Sequence, residues 1–212
     1  MQVKIRLDKN SGHIQIPIYV NEKGPYYFTL DTGAGATAVS KTLTENLKLS
    51  LSPDNRAKAV GVGGSAPVPV MRSTVDQLRI GSEILENENV VVLDFESIFG
   101  AMWTSSGLIG QSILKNYKVT INYRDLILNL DRNHDLRSEE DVLIDWVPFK
   151  YVGNTHIIAV PVHINNKGPY DLILDTGSSG TILSPKLVAE LGLEQNSTEI
   201  EEDQKKKGVD VC

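Results

Sequence analysis

Apolar and polar residues alternate with period two through the first part of the chain, the pattern of half-buried β-strands. Val3-Lys4-Ile5-Arg6-Leu7 alternates cleanly, and Ile14, Ile16, Ile18 and Val20 continue the pattern after His13. Asn21-Glu22-Lys23-Gly24 then reads as a turn into a strand over Tyr26–Leu30 that ends at Asp31. Ser40 is placed to cap a short helix over Lys41–Leu47, with Leu43 and Leu47 one turn apart on its buried face. Ala57–Val62 and Ala66–Met71 flank Gly63-Gly64 and predict a glycine-tipped hairpin. Further strands are expected at Val75–Ile80, Val90–Leu93, Lys118–Asn122 and Leu126–Leu130, with a short helix over Gln111–Asn116.

The pattern then repeats. An offset of 144 positions relates Asp31-Thr32-Gly33 to Asp175-Thr176-Gly177, and without a gap it also relates Pro17 to Pro161, Lys23-Gly24-Pro25-Tyr26 to Lys167-Gly168-Pro169-Tyr170, Thr37 to Thr181 and Ser40 to Ser184. Such a register implies a duplicated structural unit. Three segments follow: a first unit over 1–132, a charged linker over 133–146, and a second unit over 147–212. The second unit tracks the first as far as Leu193, the counterpart of Leu49. Beyond it comes the polar run Glu199–Lys207, and the register supplies no return strand and no counterpart of Leu108-Ile109-Gly110.

Composition narrows the function. The chain has 212 residues, is 41% hydrophobic and carries a net charge of −6, and it holds no apolar run long enough to span a bilayer. The acidic balance argues against nucleic acid as a partner. Cys212 is the single cysteine, so no internal disulfide is expected, and no Cys/His cluster has zinc spacing. The first unit begins almost at Met1, which leaves no room for a targeting segment. The expectation is a soluble chain, cytoplasmic unless a leader has been removed, and Asn196-Ser197-Thr198 then reads as a chance sequon.

The chemistry lies in the two carboxylates. Each ends an apolar strand, after Phe28 and Leu30 or after Leu172 and Leu174, and each enters a turn. If the turns face one another, the two Asp side chains cannot both ionise and share one proton. One then acts as base on a water while the other donates to a carbonyl oxygen, hydrolysing a peptide without metal or other cofactor. Gly33 and Gly177 permit tight turns, and Thr32 and Thr176 offer hydroxyls for bonds across the junction. Gly61, Val62, Gly63 and Gly64 are expected to form a mobile cover over an extended substrate. His13, His134, His156 and His163 have no nucleophile beside them in sequence, and structural or solvated roles are expected for them.

Leu30-Asp31-Thr32-Gly33-Ala34, the Val62-Gly63-Gly64 hairpin and Leu108-Ile109-Gly110 together resemble the retropepsin-like aspartic proteases, especially bacterial predicted aspartyl proteases. The resemblance covers residues 3–132 and part of 147–193. It implies a mainly β fold of closed barrel lobes with a short helix, the first lobe complete and the second partial. It also implies Asp31 and Asp175 as catalytic residues, Gly63-Gly64 as a flap tip and Leu108-Ile109-Gly110 as a buttress behind Asp31. Three arrangements stay open: an Asp31–Asp175 dyad within one chain, a homodimer pairing Asp31 with Asp31 through the first lobes, and a silent peptide-binding or dimerisation module.

Overall fold

The computed structural model describes residues 1–59, 68–100, 103–132 and 146–193. Its elements in chain order are β1 (Gln2–Lys4), β2 (Arg6–Leu7), β3 (Ile14–Val20), β4 (Lys23–Leu30), β5 (Ala38–Ser40), α1 (Lys41–Leu47), β6 (Ser52–Ala59), β7 (Val68–Ile80), β8 (Glu83–Leu93), α2 (Phe95–Phe99), β9 (Gly107–Ile109), α3 (Gln111–Leu114), β10 (Lys118–Asn122) and β11 (Ile127–Asp131). The second repeat contributes β12 (Lys150–Tyr151), β13 (Ile158–Ile164), β14 (Lys167–Ile173) and α4 (Pro185–Leu191). The protein is mainly β with a few short helices. No described helix is long and apolar enough to cross a membrane.

A closed barrel organises the first repeat. The eight-stranded sheet runs β2-β3-β4-β9-β5-β8-β7-β6, and a further β3–β7 pairing closes six of these strands on themselves. Ile14, Ile16, Ile18 and Val20 of β3 point inward with Phe28, Leu30, Leu78, Ile80 and Ile109. The β3–β4 turn places Asn21 and Glu22 in left-handed backbone (φ 47° and 63°), and Asn165 and Asn166 repeat this at 50° and 61°. Such turns match the twist of a two-residue hairpin. The pairing is duplicated as well: Ile16 faces Phe28 as Val160 faces Leu172, with the same irregularity two residues on.

Several expected elements change shape. Val3–Leu7 is two strands, because Ile5 is buried and its N–H donates to Leu126 O, sending β1 to β11 and β2 to β3. The strands expected at 66–71 and 75–80 are one continuous β7. Ser73, at the polar break, is accommodated by donating its hydroxyl to Ser50 O. The strand at 90–93 extends back to Glu83, and α2 appears where no helix is expected, capped by Asp94 accepting from Ser97 N–H. The arms of the glycine hairpin pair at Lys58 with Pro69 and Ala59 with Val68, while its tip over 60–67 lies outside the described residues.

The second repeat departs from the expectation of a matching core. Leu30 is fully buried, whereas its counterpart Leu174 is 51% exposed and Leu172 is only half-buried. Among the described residues the second repeat forms a three-stranded sheet, β12-β13-β14, and no strand covers β14 as β9 covers β4. An apolar side chain without a facing layer stays in water, whatever its sequence pattern.

Candidate active site

Asp31 follows the last residue of β4 and is held from behind. β9 runs parallel to β4 with Leu30 opposite Ile109, and Asp31 N–H donates to Ile109 O at 3.0 Å. Oδ1 of Asp31 accepts from the backbone N–H groups of Gly33 (3.0 Å) and Ala34 (2.9 Å), and the residue is 9% exposed. Leu108-Ile109-Gly110 lies directly behind this turn. A Cβ on Gly110 would stand 2.4 Å from Ala36 O and 2.7 Å from Ala34 O, so only glycine admits that backbone. Gln111 then closes the back of the turn, its N–H donating to Ala34 O (2.8 Å) and its Nε2 to Thr32 O (3.0 Å). Thr37 Oγ1 accepts from Gly110 N–H and from the Ser112 hydroxyl. Gln111 and Ser112 escaped the sequence reading, because a Gln and a Ser opening a short helix carry no periodic signal.

Asp175 has thinner support. Its Oδ1 accepts from Gly177 N–H at 2.7 Å, and the residue is half-buried in the turn after β14. The structure brings the two turns into direct contact. Thr32 N–H donates to Thr176 Oγ1 (3.2 Å) and Thr176 N–H to Thr32 Oγ1 (3.0 Å). Each hydroxyl also reaches across, Thr32 to Leu174 O (2.6 Å) and Thr176 to Leu30 O (2.7 Å). Four hydrogen bonds thus form a nearly two-fold lock.

The glycines supply space. A Cβ on Gly33 would lie 2.5 Å from Asp175 Cγ, and one on Gly177 would lie 2.6 Å from Asp31 Cγ. Neither glycine has a left-handed φ. Each carboxyl therefore rests on the backbone of the opposite turn, so the two acids are neighbours over the junction. Two carboxyls so placed can reach one water from both sides, the arrangement that general acid–base chemistry requires.

A histidine completes the surroundings. His13 Nε2 lies 3.4 Å from Ser179 Oγ, on the Asp175 turn, and its ring packs against Trp103 at 6.2 Å. Burial holds its pKa below the ordinary histidine value, opposed by the charges of Asp8 and Asp175. His13 thus touches the segment that follows Asp175, although the sequence placed it only at a strand start. His156 packs on Tyr151, and His134 and Gly61, Val62, Gly63 and Gly64 lie outside the described residues.

Comparison with known families and structures adds to this geometry. A family model described as aspartyl protease matches residues 16–113 and 160–205, two segments that each contain one Asp-Thr-Gly turn. Among solved structures, a retropepsin-like aspartic protease from Rickettsia conorii is 22% identical, with a TM-score of 0.42 over 61% of this chain and 89% of that one. A search of curated proteins finds no match.

Proposed function

The chain belongs to the aspartyl protease family, and from that premise we propose that it is an aspartic endopeptidase whose dyad is Asp31 and Asp175 of the same chain. The observation that carries this reading is the reciprocal packing of each carboxyl on the other turn's glycine, locked by Thr32 and Thr176. A water hydrogen-bonded between the acids would lose a proton to the ionised one as its oxygen attacks the peptide carbonyl. The protonated acid would donate to the carbonyl oxygen, giving a neutral tetrahedral diol. Its collapse returns a proton to the leaving nitrogen and breaks the C–N bond. The Asp31 turn is fixed by β9 and Gln111 before substrate arrives, so preorganisation is strongest there.

A dyad of two Asp31 residues from separate chains would require the Asp175 turn to leave Asp31, breaking the four threonine bonds. The silent-module reading draws on one observation, the exposure of Leu174 beneath Asp175. Substitution separates the readings. Asp31→Asn and Asp175→Asn should each lower cleavage of a denatured protein substrate by ~10²-fold or more, with a bell-shaped dependence on pH in the wild type. Full activity in Asp175→Asn would rule out the intrachain dyad.

A further inference from the structure

In the first repeat β9 inserts between β4 and β5, parallel to the one and antiparallel to the other, and the chain there supplies backbone acceptors to both neighbours. Ile109 O takes the N–H of Asp31, and Ser106 O, one residue before β9, takes the N–H of Ser40. Leu108 joins Ala38 in one apolar cluster, and Ile109 joins Leu30 in the other.

The second repeat builds both banks of the same channel. Among the described residues β14 pairs with β13 alone. Ser184, the counterpart of Ser40, has the same extended backbone, φ −66° and ψ 148° against −66° and 146°. Among the described residues neither Asp175 N–H nor Ser184 N–H has the backbone acceptor that its counterpart finds. Leu174 and Ile182 are 51% and 61% exposed where Leu30 and Ala38 are fully buried. An edge strand with open donors beside an apolar face is a template for a further strand. The channel also runs into the junction between the repeats, since Leu174 O accepts from the Thr32 hydroxyl.

We propose that this channel binds an extended segment of a separate polypeptide, of the pattern apolar-apolar-glycine, lying parallel to β14 and antiparallel to residues 182–184. Its carbonyls accept from Asp175 and Ser184, and its two apolar side chains cover Leu174 and Ile182. The glycine is a steric requirement: a Cβ on Gly110 would meet the carbonyls of Ala36 and Ala34, whose counterparts are Gly180 and Ser178. β9 of a second copy is already buried in its own barrel, which points to a different polypeptide as donor. The bound strand gives Asp175 the backing that β9 gives Asp31. Binding itself needs no catalysis, so the proposal stands apart from the dyad.

The probe is a synthetic peptide with the sequence of residues 104–112, titrated into the full chain labelled with nitrogen-15. Saturable shifts are expected at the amides of residues 172–175 and 182–184, with slower hydrogen exchange at Asp175 and Ser184. The peptide carrying Gly110→Val should bind at least roughly tenfold more weakly, and Ile182→Asp in the protein should weaken the unaltered peptide by roughly as much. Shifts that are absent at millimolar peptide, fall elsewhere or ignore Gly110→Val overturn the proposal. An Asp175 amide already protected in the free chain overturns it too, since the chain's own residues would then fill the channel. So does a chain that dimerises in sedimentation and excludes the peptide, because a second copy would then hold the face. If Ile182→Asp does not fold, the two peptides on the unaltered chain decide. Peptide binding by a chain that cleaves nothing at any pH upholds the proposal and rejects the protease reading.

Discussion

Thr32, Thr176, Gly33 and Gly177 do different work from the acids they follow. Thr32→Val removes the donor to Leu174 O and the acceptor of Thr176 N–H at once. It should cost about 1–2 kcal/mol in urea unfolding, with Thr32→Ser nearly silent. Thr176→Val should behave alike, and the double substitution should cost less than the sum, since both remove one shared network. Gly33→Ala sets a methyl 2.5 Å from Asp175 Cγ and must displace that carboxyl. A displacement of about 1 Å should lower kcat/KM by ~10²-fold, and the loss should be seen in steady-state cleavage of a protein still folded by circular dichroism. The sequence made the glycines legible as turn residues. It did not show that each makes room for the other copy's acid, because those contacts span 142 and 146 positions and leave no local pattern.

Elements decide how firmly each acid is held. β9 is three residues long, yet it is buried throughout and pairs with both β4 and β5. Ile109→Ala should therefore cost about 2–4 kcal/mol, measurable as a lowered denaturation midpoint, and should weaken activity through Asp31 alone. The turn from Asp8 to His13 has its own pH signature. Hydrogen bonding from Thr104, ahead of the smaller contributions of the turn's backbone N–H groups, holds the Asp8 carboxyl at about 2, below an ordinary value of 3.8. A folded pKa below the unfolded one means stability present above about pH 4 that is lost as pH falls toward about 2. Asp8→Asn should flatten that part of the stability profile, as read from urea midpoints. Strand periodicity, capping by Ser40 and Ser184 and the doubled hairpins were readable from local residues. The length of β7, the break at Ile5 and the helix α2 were not, because they depend on which strand lies alongside.

At the scale of the whole molecule, one repeat closes a barrel and the other presents a sheet with Leu174, Ile173, Phe149 and Trp146 open to water. Residues 1–132 expressed alone should unfold cooperatively, and residues 146–212 alone should give poorly dispersed NMR spectra. The duplication and its register were visible in the sequence, as was the loss of register after Leu193. What escaped was the consequence for Leu172 and Leu174, since a strand's pattern names its apolar face without saying whether anything lies on it. The reciprocal seating of Asp31 on Gly177 and Asp175 on Gly33 also orders events in time. A ribosome that has released residues 1–132 has made the barrel and the Asp31 turn, and on the intrachain reading proposed above the site still waits for Asp175. On that same reading, cutting power arrives only with the forty-odd further residues that bring Gly177 into place.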